Sequence, residues 1–166
     1  MTAVRRLGIV MDPIARIKPY KDTSLAFLLE AQRRGWDTRY FEMPDLYLRD
    51  GAARGHGHAL NVRDDRKDWF ALGEREDLAL GELDVILMRK DPPFDLEYVY
   101  ATQLLELAEA AGALVVNRAA AIRDNNEKLA IQRFPQCCAP TLVTRSAARI
   151  REFLAEQDHI VVKPLD

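Results

Sequence analysis

Apolar residues along this chain fall into short runs and helical stripes that alternate. Residues 7–11 (LGIVM) form an uninterrupted apolar run between Arg5-Arg6 and Asp12-Pro13, the pattern of a strand buried on both faces. Asp22-Thr23-Ser24 then makes a capping cluster, and Leu25, Leu28 and Leu29 lie at helical spacing before Gly35, which predicts a helix. Residues 37–42 (DTRYFE) read as a second strand. The alternation returns downstream. Residues 84–88 (DVILM) read as a buried strand, and residues 96–111 carry apolar side chains three and four apart up to Gly112. Residues 113–117 (ALVVN) read as another strand. Such repetition predicts a parallel sheet with helices on both faces.

Two stretches interrupt it. Residues 44–63 contain Asp50-Gly51, a hairpin signal, and read as an inserted antiparallel arm. Residues 63–81 are charged and read as irregular, with Trp69 and Phe70 anchoring them to the core.

Beyond residue 124 the pattern starts afresh. A short helix is expected over 127–134, ended by Pro135, then a strand over 140–145 (PTLVTR). Ser146 caps a helix with Ala147, Ile150, Phe153 and Leu154 on one face, and residues 160–163 (IVVK) read as a last strand. The fold class is therefore α/β, with one domain over 1–123 and a second beginning at 124 and too short to close a core.

Charge narrows the function. The 166 residues carry a net charge of −2, so neither nucleic acid nor a membrane surface is expected as a partner through bulk electrostatics. No apolar run approaches the roughly 18 residues of a membrane helix. The first run ends at Asp12, too early for a signal peptide. The only cysteines, Cys137 and Cys138, are neighbours without a CxxC. They suit a reducing cytoplasm and structural burial.

Candidate chemistry gathers at strand ends. Arg89, Lys90 and Asp91 follow the 84–88 run, and Pro92-Pro93 come next with no N–H to continue a ladder. Pro92 also drives Asp91 towards an extended conformation. Charged side chains are thereby fixed where ligands bind in open α/β sheets, and Arg89 suits a carboxylate. Asp12 ends the first strand in the same way; whether it meets Asp91 the sequence leaves open. Lys128 falls in the first turn of a helix, where a cation is disfavoured and an anion relieves it. Lys163 ends an apolar strand, either snorkelling to the edge or facing a ligand. His56 and His58 alternate within the arm; a metal would need further ligands, so a polar arm is the simpler reading. Neither a GxGxxG nor a GxxxxGK[ST] fingerprint occurs.

Five stretches carry more: LGIVMDPI (7–14), FLLEAQRRG (27–35), LDVILMRKDPPFD (83–95), NRAAAIRDNNEKL (117–129) and IVVKPLD (160–166). Together they resemble the bacterial glutathione synthetases, in order and along essentially the whole chain, over about the first half of the family's length. The resemblance implies a Rossmann-like pre-ATP-grasp domain that binds substrate (1–123), followed by the truncated start of an ATP-grasp domain (124–166). It implies a ligase that joins γ-glutamylcysteine to glycine using ATP and Mg²⁺. The dipeptide's cysteinyl carboxylate is first phosphorylated, and the glycine amine then displaces phosphate. By position Lys128 and Lys163 match the family's two ATP-contacting lysines. Arg89 falls where the family presents a cation to the peptide, and Asp12, Lys21 and Asp91 carry over onto the same cleft. Pro19-Tyr20 departs from the basic residues expected there. The family's glycine-rich loop and Mg²⁺ ligands lie beyond Asp166, so these residues alone are expected not to catalyse. A homo-oligomer, dimer or tetramer, is also implied. The alternatives are another ATP-grasp ligase with a different acid and amine, against which MRKDPP argues, or a non-catalytic module binding a small acidic ligand.

Overall fold

A computed structural model describes residues 4–165. They divide into two compact units, 4–123 and 124–165.

The first unit is built on a seven-stranded sheet. Strand β1 (Arg6–Val10) lies between β2 (Asp37–Phe41) and β6 (Val85–Met88), parallel to both, with Ile9 level with Tyr40 and Leu87. Strand β7 (Leu114–Val116) adds in parallel to β6. On the other side the sheet turns antiparallel. β4 (Ala52–Val62) pairs with β2, and it also pairs with β3 (Leu46–Arg49) and β5 (Phe70–Ala79). Asp50 and Gly51 turn the β3–β4 hairpin with φ of 52° and 79°. Positive φ at both central positions gives a turn whose twist matches the strands it joins. The α/β reading holds, but the sheet is parallel only across β2, β1, β6 and β7.

Alternation along the strands sends side chains to two cores. Helix α1 (Thr23–Arg33) packs with Leu25 and Leu28 against Leu7, Ile9 and Met11. Helix α2 (Leu96–Ala110) packs with Ala101 and Leu105 against Val10, Phe41, Ile86 and Val115 on the opposite face. β4 crosses this second layer closely. A Cβ at Gly57 would stand 2.4 Å from the Phe41 ring, so the residue there must lack one. Arg5 and Arg6 are not a free tail. Asp84 accepts a hydrogen bond from the Arg6 N–H at 2.7 Å and from Arg5 Nη1 at 2.9 Å. These two contacts hold its carboxyl below the usual carboxylate range, the Arg6 amide contributing most.

Residues 70–79, expected to be irregular, form β5. The strand was obscured because Glu74, Arg75, Glu76 and Asp77 are all exposed, which erases the alternation that marks a half-buried strand.

The second unit contains α4 (Glu127–Ala130) and α5 (Ala147–Gln157), and α3 (Ala119–Asp124) ends at its boundary. Asn126 and Ser146 cap α4 and α5, accepting from the N–H groups of Lys128 and Arg149. Residues 140–145 and 160–163, expected as strands, join no ladder. A strand is stabilised only by a partner, and neither finds one among the described residues. The cysteines also depart from expectation. Cys137 is exposed and Cys138 half-buried, its Sγ donating to the Phe134 carbonyl at 3.3 Å. No helix of the described residues is long and apolar enough to cross a membrane.

Candidate functional site

In the first unit, parallel pairing sets the carboxyl ends of β1 and β6 side by side, and the residues that follow them interlock. The Arg89 N–H donates to the Val10 carbonyl at 2.7 Å, extending the ladder by one residue. The Asp12 carboxylate then takes two donors from the loop after β6. Lys90 Nζ lies 3.0 Å from Oδ1, and the Asp91 N–H donates to Oδ2 at 2.9 Å. Asp12 and Asp91 therefore do meet, through a backbone amide and not as a pair of carboxylates. Lys90 also donates to the Asp91 carbonyl at 2.6 Å. An ammonium has three donors, and two are engaged here.

Arg89 turns towards α1. Its Nη2 donates to Thr23 Oγ1 at 2.7 Å and its Nε to Ser24 Oγ at 3.2 Å. Both hydroxyls belong to the first turn, which Asp22 caps by accepting from the N–H groups of Ser24 and Leu25. The guanidinium is thus held near a helix N-terminus while its residue stays exposed. Such an arrangement concentrates positive charge suited to a carboxylate. Lys21, one residue before the cap, is exposed and outside this network. Pro92-Pro93 is cis, and Asp95 caps α2 by accepting from the Tyr98 N–H at 2.9 Å.

The sequence reading left out several residues of this site. It noted Lys90 as a charge without assigning it, and it took Thr23 and Ser24 only as caps. It passed over Tyr40, whose hydroxyl accepts from the Ile14 N–H at 3.1 Å and donates to Glu42 Oε1 at 2.7 Å. Burial first, and then Glu42, raise the Tyr40 hydroxyl above its ordinary range. A tyrosine on the inward side of an alternating strand was the available signal, since a buried hydroxyl requires a partner.

In the second unit, Lys128 and Lys163 line one cavity of about 720 Å³. Its walls include Leu142, Val143, Ile150 and Phe153. Lys128 Nζ donates to the Leu165 carbonyl at 3.2 Å and pairs with Glu127 at 2.9 Å. That pairing is the main cause holding the Glu127 carboxyl below its usual range. Lys163 is exposed at the cavity. Apolar walls with two ammonium groups fit a molecule that is flat and apolar at one end and anionic at the other. The volume lies within the few hundred to about 1,000 Å³ of small-molecule sites. Among the described residues no group of three or more His, Cys, Asp or Glu is placed to hold a metal ion by itself.

The histidines of the arm face different surroundings. His58 Nδ1 lies 3.0 Å from the Gly73 carbonyl, and His56 lines a separate hollow of about 450 Å³ with Tyr47, Arg75 and Asp77.

Comparison with known proteins matches both units. The sequence model of the prokaryotic glutathione synthetase N-terminal domain fits residues 6–123, and that of the same family's ATP-grasp domain fits residues 127–166. Fold and matches together define the class, an α/β domain leading into an ATP-grasp domain. The glutathione synthetases of Pseudomonas putida, Yersinia pestis and Escherichia coli K12 are 58%, 56% and 53% identical to this chain over 161 residues. Each alignment covers 97% of this chain and 50–51% of the relative. The chain belongs to the prokaryotic glutathione synthetase family, and it spans about half the length of the curated relatives it matches.

Proposed function

We propose that this chain serves an ATP-dependent ligase joining γ-glutamylcysteine to glycine. The observation that carries the reading is the convergence of Lys128 and Lys163 on one cavity, within the segment that matches an ATP-grasp domain. The unit over 124–165 begins the ATP-binding domain. Its apolar walls take the base, and Lys128 and Lys163 take phosphate oxygens. The unit over 1–123 is the substrate-binding domain. Arg89, Asp91, Asp12 and Lys21 belong to its peptide cleft. Arg89 pairs with a carboxylate of the dipeptide, Lys90 adds a second cation, and Asp12 holds the loop that carries both.

In the reaction the cysteinyl carboxylate oxygen attacks the γ-phosphorus of ATP, and the bond to ADP breaks. The glycine amine then attacks the acyl carbon, phosphate leaves, and the amine's proton goes to solvent. Negative charge builds on the transferring phosphoryl group, and fixed cations beside it lower the barrier. Mg²⁺ would share that charge when bound. The two free thiols accord with a cytoplasmic protein. The assembly is read as a dimer or tetramer on the family resemblance.

The test is ADP release by the full-length product of the gene, with Mg-ATP, γ-glutamylcysteine and glycine, each omitted in turn. Release should require both the dipeptide and glycine. It should fall about 100-fold or more in Lys128→Ala and Lys163→Ala, the scale expected for lost charge stabilisation. Release supported only by another acid and amine would assign a different ATP-grasp ligase. Release needing neither would remove the ligase reading.

A further inference from the structure

Ile14 has both of its backbone polar groups taken by side chains from other elements. Its N–H donates to Tyr40 Oη on β2 at 3.1 Å, and its carbonyl accepts from Trp69 Nε1 at 3.2 Å. Its own side chain is buried. Trp69 stands immediately before β5 and stacks at a tilt on Phe70, ring centroids 5.4 Å apart. The Tyr40 hydroxyl in turn donates to Glu42 Oε1 at 2.7 Å. Two residues upstream of Ile14, Asp12 holds Lys90 and the Asp91 amide. A series of contacts therefore runs from Trp69 and Tyr40, through residues 12–14, to the charged loop after β6.

We propose that Trp69 and Tyr40 are positioning residues that clamp Ile14 and, through Asp12, set the placement of the Arg89–Asp91 loop. The proposal rests on the reading of that loop as the peptide cleft. It gives Trp69 and Tyr40 a part in substrate binding through the backbone of residues 12–14. A carboxylate that must orient an ammonium and an amide together needs its own backbone fixed. Ile14 opens the short 3-10 helix Ile14–Arg16, where a first-turn amide has no partner within the helix, so the two side chains supply its hydrogen bonds.

The experiment uses the full-length gene product carrying Trp69→Phe, Tyr40→Phe or both. The first keeps a ring against Phe70 and removes the N–H; the second removes the hydroxyl. Hydrogen exchange should quicken about ten-fold or more at the amides of Ile14, Arg89 and Asp91, while those of Ile9 and Leu87 keep their wild-type rates. Loosening confined to Ile14 overturns the relay. Loosening across the whole sheet also overturns it, since that is what a packing role alone produces. In the ligase assay, KM for γ-glutamylcysteine should rise several-fold, with kcat and KM for ATP within about two-fold of wild type. Asp12→Asn should hide most of the Trp69→Phe effect, whereas additive effects would separate the two residues and overturn the relay. Joint loosening of both loops with an unmoved KM would leave the clamp standing and remove the peptide substrate from the proposed function.

Discussion

The two units carry the same kinds of local signal, yet only one has a closed interior. Capping residues, apolar stripes and strand-like runs occur in both. The first unit buries side chains from β1 through α3, Ile9, Phe41, Ile86 and Leu105 completely. In the second no described residue is buried. Val161 and Val162 remain 84% and 68% exposed. Its helices form because caps and periodicity act within a few residues. Its strand-like segments stay unpaired because a ladder depends on a partner distant in sequence. Local propensity is thus realised in both units, and a core only where strands from separate parts of the chain meet.

The sharpest way to break this comparison is to truncate one apolar residue in each unit. Phe41→Ala should lower stability by about 3–5 kcal/mol, because a ring that is 0% exposed leaves a cavity. Val161→Ala should change it by less than about 0.5 kcal/mol, as at other exposed sites. Denaturant titration followed by circular dichroism checks both, and similar losses would show that the second unit has an interior after all. Removing a cap from each unit makes a gentler test. Asp22→Ala should cost about 1 kcal/mol, since its carboxylate satisfies two amides of the packed helix α1. Ser146→Ala should reduce the helix signal of α5 and leave the main unfolding midpoint unchanged. The smallest effect belongs to the surface of α1. Glu30 pairs with Arg33 and Arg34, both at 2.7 Å, and its pKa is held down to about 2, chiefly by Arg33 and then Arg34. A depressed pKa stabilises the fold above the group's ordinary value, and that stabilisation is lost as pH falls through about 2. Glu30→Gln should therefore melt slightly below wild type at neutral pH and coincide with it below pH 2. A gap that persists in acid would exclude charge as its origin.

Legibility in the sequence follows the same division. β1, β2, β6, β7 and the helices α1 and α2 announced themselves by apolar runs and 3.6-residue stripes, because each is buried on at least one face. The hairpin at Asp50-Gly51 was readable because its turn demands particular residues. β5 was not, since its outward side and its run of four charges lie in water. Residues 140–145 and 160–163 look like strands because β-branched apolar runs report the surface they would bury, whether or not it is present. At the candidate site, Asp12, Arg89 and Asp91 could be placed at strand ends. Their hydrogen bonds to Lys90, Thr23 and Ser24 could not be read, because those depend on β1 lying next to β6. Lys128 and Lys163 were singled out separately, and nothing in their spacing shows that they line one cavity.

Asp84 and Asp12 sit at opposite ends of the β1–β6 pair, and they do reciprocal work. At the amino end the carboxylate beside β6 accepts the first amide of β1; at the carboxyl end the carboxylate after β1 accepts an amide from the loop after β6. Each strand is thereby latched to the other at both ends. Sliding one past the other by even a single residue would undo both latches at once and turn every side chain to the wrong face. The centre of the sheet is an indexed joint with one permitted setting. Charged groups mounted on it keep a fixed spacing, while adjustment to an arriving molecule falls to the loops and side chains around it.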